Sequence, residues 1–206
     1  MSTDDLDAED FARHIDTTPG VIARLKIYNR LLLEWNNTIN LVSSDTLKDS
    51  WKRHFQDSAQ LLPLIPPESQ NLADIGSGAG FPGLVLAIMG VKDVTLIERD
   101  TRKAGFLRTV AGETGTKIEI LNVDVKTIED RSFDIVTSRA VAALSELLEL
   151  AHRFLKPSTI CLFLKGKNLD PEIAQAHKLW SMNLRRMPSA TEPESAILRI
   201  TGIVKK

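Results

Sequence analysis

The chain predicts an α/β fold in which a mostly parallel sheet carries helices on both faces, with an N-terminal helical cap and a closing antiparallel hairpin. Three observations predict it. From Asn71 onward, short apolar runs bounded by turn residues alternate with helical stretches. A glycine-rich run, Asp74-Ile75-Gly76-Ser77-Gly78-Ala79-Gly80-Phe81-Pro82-Gly83, directly follows the first of those runs and opens a helix. Finally, 206 residues with 43% hydrophobic content suffice for one globular domain with a small appendage.

Taken in order, residues 1–17 read as a mobile acidic arm, because Asp4, Asp5, Asp7, Glu9 and Asp10 all precede the first basic residue, Arg13. A helix then starts at Thr18-Pro19, a capping hydroxyl followed by proline at the first helical position. Val21, Ile22, Leu25, Tyr28, Leu31, Leu32 and Trp35 give it one apolar stripe at the spacing of a buried helix face. A second helix is expected from about Thr46 to Leu62, with Leu47, Trp51, Phe55, Ala59 and Leu62 on one side, stopped by Pro63. These helices make a cap over 18–66, and 67–206 forms a single α/β unit. Its expected strands lie near 71–75, 94–98, 118–121, 133–138 and 159–164, with helices near 82–89, 101–113, 144–155 and 170–180. Two β-like segments between Asn183 and Val204 predict the hairpin.

Composition excludes several classes. One cysteine, Cys161, leaves no disulfide scaffold and no paired-thiolate zinc site, so no metal is expected. The longest uncharged run, Ile75 to Val91, is broken by glycines and Pro82 and does not read as a membrane span, and the N-terminus is acidic where a secretory signal would be basic. The expectation is a cytoplasmic protein. Net charge is -1, yet without the acidic arm the body is mildly basic, which permits contact with nucleic acid.

The glycine run fits a nucleotide-type cofactor, with the following helix presenting free N–H groups to it, and it can be parsed in two ways. As Gly78-x-Gly80-x-x-Gly83 it matches the dinucleotide fingerprint. As Asp74-x-Gly76-x-Gly78-x-Gly80 it resembles the first motif of the S-adenosylmethionine methyltransferases, where the acid helps hold the amino-acid part of the cofactor. Glu98, at the end of the second strand, suits a ribose hydroxyl pair in either parse. Asp124, after the third strand, is either part of an adenine loop or a turn cap. Ser138 and Arg139 end the fourth strand, at the sheet edge where ligands bind.

Several further motifs, in order, resemble the bacterial 16S rRNA guanine-N7 methyltransferases called RsmG or GidB. These are Glu34-Trp35-Asn36-Asn37-Thr38-Ile39-Asn40-Leu41, Arg53-His54-Phe55-Gln56-Asp57-Ser58, the glycine run, Lys103-Ala104-Gly105-Phe106-Leu107, Ser138-Arg139-Ala140 and Lys165-Gly166. The resemblance spans about residues 28–168. It implies a Rossmann-like class I S-adenosyl-L-methionine-dependent methyltransferase fold, that cofactor, and a guanine in 16S rRNA of the 30S subunit or its precursor as substrate; separately, a monomer is expected. Carried over residue by residue, the family's cofactor contacts fall on Gly76, Phe81, Arg139 and the adenine-loop pair Val125 and Lys126; Gly78 and Glu98 join them from the turn and the second strand. This chain departs from the family at Asp124, where an arginine is usual, at Lys126, where an acid is usual, and at Glu98-Arg99-Asp100, where relatives resemble an Asp-Ser pattern.

Guanine N7 carries a free lone pair and can attack a sulfonium methyl without first losing a proton, so alignment rather than a strong base is what such a reaction needs. The candidates for positioning are Lys165, on phosphate or the guanine O6, and His54 with Asp57, three residues apart on one cap face. His54 beside Trp51 and Phe55 also fits a purely structural histidine. Arg102, Lys103 and Arg108 with Lys48, Lys52 and Arg53 are candidates for an RNA track. Aromatics at 5% argue against stacking along a single strand as the main recognition device. Two competing functions remain: an NAD(P)-dependent oxidoreductase, for which Tyr28 is the only tyrosine and no Tyr-x-x-x-Lys pair exists, and a non-catalytic S-adenosylmethionine- or RNA-binding module.

Overall fold

The computed structural model describes residues 3–129, 131–139, 142–167 and 169–206. Met1 and Ser2 of the expected arm and Ala140 of the Ser138-Arg139-Ala140 motif lie outside the described residues. Among the described residues seven strands form one sheet in the order β3-β2-β1-β4-β5-β7-β6. Parallel strands β1 (Leu72–Ile75), β2 (Val94–Ile97), β3 (Glu119–Leu121), β4 (Ile135–Arg139) and β5 (Ile160–Lys165) are closed by antiparallel β6 (Trp180–Pro188) and β7 (Ala196–Lys205). The hairpin therefore starts a few residues earlier than the sequence pattern suggested.

The central strands are buried on both faces, as a covered parallel sheet requires. Their side chains alternate between two cores. Leu72, Leu96, Ile135 and Leu162 pack with the cap, α5 (Gly83–Ile88) and α6 (Thr101–Thr114), while Ala73, Ile97, Val136 and Phe163 pack with α7 (Leu144–Ala151) and α8 (Leu169–Leu179). Each fully buried Leu or Phe contributes about 1.5–3 kcal/mol to that arrangement.

The residues expected to form a mobile arm instead make helix α1 (Thr3–His14), with Ala8 and Phe11 buried and the Phe11 ring 5.6 Å from that of Trp51. Two apolar residues one turn apart gave the segment a face to bury, which its acidic composition concealed. Helix α2 (Pro19–Asn36) starts as expected, the Thr18 hydroxyl accepting from Val21 N at 3.3 Å. The expected second cap helix is broken into α3 (Ser44–Leu47), a π-helical turn Trp51–Gln56, α4 (Asp57–Ala59) and a 3₁₀ turn Leu62–Leu64. Trp51, His54, Phe55 and Ser58, spaced i, i+3, i+4 and i+7, all face inward. The cap shares one hydrophobic core with the sheet, through Tyr28, Phe55, Phe81 and Phe106.

Candidate active site

The strand order reverses direction between β1 and β4, and this switch point is where an open α/β sheet binds ligands, at the carboxyl ends of its strands. Both chain segments leaving that point belong to the motifs singled out above. After β1 the backbone turns through Gly76 at φ 65°, a conformation only glycine adopts freely. Gly76 N and Ser77 N donate to Ile97 O at 2.9 and 3.1 Å, and Gly80 N to Ser77 O at 2.7 Å; none of these bonds uses the Gly76 carbonyl. A cap residue holds the turn from outside: Tyr28, fully buried and stacked on Phe81 at 5.2 Å, donates its hydroxyl to the Ala79 carbonyl.

Asp74 does not reach the ligand side. It is buried behind the turn, Oδ1 accepting from Thr137 Oγ1 at 2.8 Å, and burial raises its pKa to about 6 against the opposing hydrogen bonds. Gly83 packs onto it so closely that a Cβ there would stand 2.6 Å from Asp74 Cβ. The first turn of α5 is thus pressed onto Asp74, with Leu84 N bonded to Gly80 O at 2.9 Å. The expected row of free helix N–H groups facing a ligand is not formed, and with it goes the pyrophosphate seat that the dinucleotide parse requires.

Arg139, at the end of β4, is the hub of the opposite wall. Its Nη1 donates to Arg53 O at 3.0 Å and lies 3.3 Å from Asp57 Oδ2, its Nη2 lies 3.1 Å from His54 Nδ1, and the guanidinium sits 4.9 Å from the Phe81 ring centroid. Burial lowers the pKa of Arg139, and the Asp57 carboxylate opposes that shift. His54 stacks on Phe81 at 4.9 Å, and burial, then the charges of Arg139 and Arg53, lower its pKa to about 3, so the imidazole is neutral. Asp57 extends the network to the hairpin: Thr191 Oγ1 and Gln60 Nε2 donate to its Oδ1 at 2.8 and 2.9 Å.

Between these walls lies a cavity of about 460 Å³, lined by Gly76, Gly78, Phe81, His54, Arg139 and Lys165 among the sequence-predicted residues. It is rimmed by Leu41, Val42, Lys103, Arg53 and the hairpin residues Thr191, Glu192 and Ser195. Lys165, expected on phosphate or the guanine O6, is already paired: its ammonium is 2.7 Å from both Glu172 Oε2 and Ala142 O, and its side chain is only 9% exposed. Glu98 does not line the cavity, and its carboxylate accepts from Gly78 N at 2.8 Å and Asp100 N at 2.7 Å, so it shapes the glycine turn. Val125 and Lys126 form a 3₁₀ turn outside the cavity lining, capped by Asp124, whose Oδ1 accepts from Lys126 N at 2.9 Å. Of the alternatives for Asp124, the turn cap is the one formed. Of the basic residues considered for an RNA track, Lys103 and Arg53 reach the cavity. Sequence reasoning missed the Tyr28–Ala79 bond and the hairpin's share of the rim, both of which join residues far apart in the chain.

This sheet order, glycine turn and cavity define a class I S-adenosylmethionine-dependent methyltransferase fold. The structure of magnesium protoporphyrin IX methyltransferase from Synechocystis PCC 6803 with bound SAM superimposes with a TM-score of 0.62 at 14% identity, covering 84% of this chain and 96% of that one. The family model described as rRNA small subunit methyltransferase G matches residues 21–197. The Ribosomal RNA small subunit methyltransferase G of Rhodospirillum centenum is 47% identical over 199 residues, 97% of this chain and 92% of that protein. Its namesake in Paramagnetospirillum magneticum is 45% identical over 182 residues, 88% and 89% of the two chains. The chain belongs to the rRNA small subunit methyltransferase G family.

Proposed function

We propose that this protein transfers the methyl group of S-adenosyl-L-methionine to N7 of a guanine in 16S rRNA, acting in the cytoplasm as a monomer on the 30S subunit or its precursor. One observation supports the choice of atom. Among the described residues the only imidazole lining the cavity, His54, has its pKa lowered to about 3 and cannot take a proton at neutral pH. The Asp57 carboxylate is committed to Arg139, Thr191 and Gln60. Exocyclic amines and ribose hydroxyls must shed a proton when methylated, whereas N7 attacks with a lone pair that is already free.

The residues present fit the cofactor. The Gly76 carbonyl is an acceptor for an ammonium group, Arg139 is a partner for a carboxylate, and Phe81 gives an apolar wall. Bound there, S-adenosylmethionine supplies a methyl group activated by its sulfonium charge. Arg139, held by Arg53 O, Asp57 and His54, fixes one end of the site, and Tyr28 fixes the glycine turn at the other. Such pre-positioning accounts for roughly 7–11 kcal/mol of a two-reactant barrier. Glu98, Val125 and Lys126 remain proposed contacts for the ribose and adenine. Each Glu98 oxygen retains a second lone pair beside the amide it accepts from. His54 positions through Arg139, and Lys165 positions the 142–144 segment, where Leu144 N also bonds Glu172 Oε2 at 2.9 Å. Incubation with labelled S-adenosylmethionine and 30S subunits lacking their own modification should place label in the RNA. Cofactor binding with no label in RNA would overturn the reading.

A further inference from the structure

We propose that Glu192 reads the target guanine, exchanging its partner Arg53 for the N1–H and exocyclic amine of the base. This rests on the guanine reading above. Two carboxylates line the cavity among the described residues, Asp57 and Glu192. Asp57 is consumed: Oδ1 accepts from Thr191 at 2.8 Å and Gln60 at 2.9 Å, and Oδ2 faces Arg139 at 3.3 Å, deep in the wall. The Glu192 carboxylate instead pairs with Arg53, and the Arg53 and Glu192 side chains are about one-third exposed, at 34% and 32%. A pair in that setting is weakly bound and readily exchanged.

The backbone beneath Glu192 is fixed while its side chain is not. Thr191 is buried and anchored on Asp57, Ala190 N donates to Gln60 Oε1 at 2.8 Å, and Ser195 N closes the turn onto Glu192 O at 3.0 Å. The carboxylate is therefore held at the cavity that the glycine turn also lines, within reach of a base placed beside the cofactor.

Guanine presents two adjacent donors, N1–H and the exocyclic N2–H₂, to which one carboxylate offers two acceptors. Adenine presents no such pair. As the methyl group joins N7, positive charge spreads over the purine and N1–H becomes more acidic, so its bond to Glu192 strengthens toward the transition state. Arg53, released from the pair, faces the polyanionic substrate, and its carbonyl continues to hold Arg139.

The test uses full-length wild-type, Glu192→Gln and Arg53→Gln proteins on 30S subunits reconstituted with guanine or inosine at the methylated position. Inosine keeps N7 and N1–H and lacks the exocyclic amine. Wild type should prefer guanine in kcat/KM by at least about fivefold, the lower end of discrimination by a bidentate contact. Glu192→Gln should lose most of that preference and lower kcat on guanine, with affinity for S-adenosylmethionine unchanged. Arg53→Gln, which breaks the same ion pair but keeps the carboxylate, should raise KM and retain the preference. An unchanged guanine-to-inosine ratio in Glu192→Gln, or an equal loss of the ratio in Arg53→Gln, would overturn the proposal. A wild type that methylates neither particle would overturn the functional reading itself.

Discussion

His54 and Arg139 fix one another: the histidine Nδ1 lies 3.1 Å from the Arg139 Nη2. Arginine offers only donors, so Nδ1 must be the acceptor and the imidazole is the neutral tautomer with its proton on Nε2. Together they sit over Phe81, at 4.9 Å each, and line the cavity beside the glycine turn.

That pairing has a pH signature. Between pH 6.5 and about 3 the unfolded chain protonates this histidine while the folded chain resists. The neutral group's contribution is complete above pH 6.5 and is lost as pH falls toward 3. The difference in unfolding free energy between wild type and His54→Gln should therefore shrink by about 2.5 kcal/mol between pH 7 and pH 4.5, from roughly 1.4 kcal/mol per unit. Urea unfolding at the two pH values measures it; a pH-independent difference would mean the folded histidine titrates normally.

Tyr28→Phe removes the hydroxyl bound to the buried Ala79 carbonyl and should cost about 1–3 kcal/mol of stability. Because Ala79 belongs to the cofactor turn, affinity for S-adenosylmethionine measured by titration calorimetry should fall as well. Unaltered affinity would separate the cap from cofactor binding.

Gly83→Ala should destabilise by about 1–3 kcal/mol, since its Cβ would meet Asp74 Cβ and Leu96 Cδ2 at 2.6 Å in a packed core. Gly112→Ala, in the exposed part of α6 with nothing within 4 Å, should instead stabilise by about 0.5–1 kcal/mol. Thermal unfolding of the pair tests whether the glycine at 83 is there for close approach.

Lys165→Ala leaves Glu172 without its ammonium and frees the segment at Ala142. Methyl transfer should fall by about tenfold or more, as loss of positioning does, while cofactor affinity stays near that of wild type. Equal losses in both would make Lys165 a cofactor contact.

The fold was legible because each central strand reads as a short apolar run and two of the longer helices start at a capping side chain, Thr18 for α2 and Asp100 for α6. The acidic arm misled because charge dominated its composition while Ala8 and Phe11 carried the packing. Gly76, Phe81, His54 and Arg139, singled out from motifs and a strand end, all line the cavity. The roles of Glu98 and Lys165 could not be read that way, because a residue type predicts chemistry but not which neighbour has already claimed it. Gly78 N and Asp100 N hold the one, and Glu172 the other. Tyr28 and Thr191 act across 51 and 134 residues of chain, a distance over which periodicity carries no signal.

The central claim is that a cavity whose imidazole and inner carboxylate are both engaged with Arg139 methylates a nitrogen that needs no base. Nuclease digestion and mass analysis of 30S RNA after methyl transfer test it most directly. The account predicts 7-methylguanosine from a single fragment, whereas a 2′-O-methyl or exocyclic N-methyl nucleoside would contradict it.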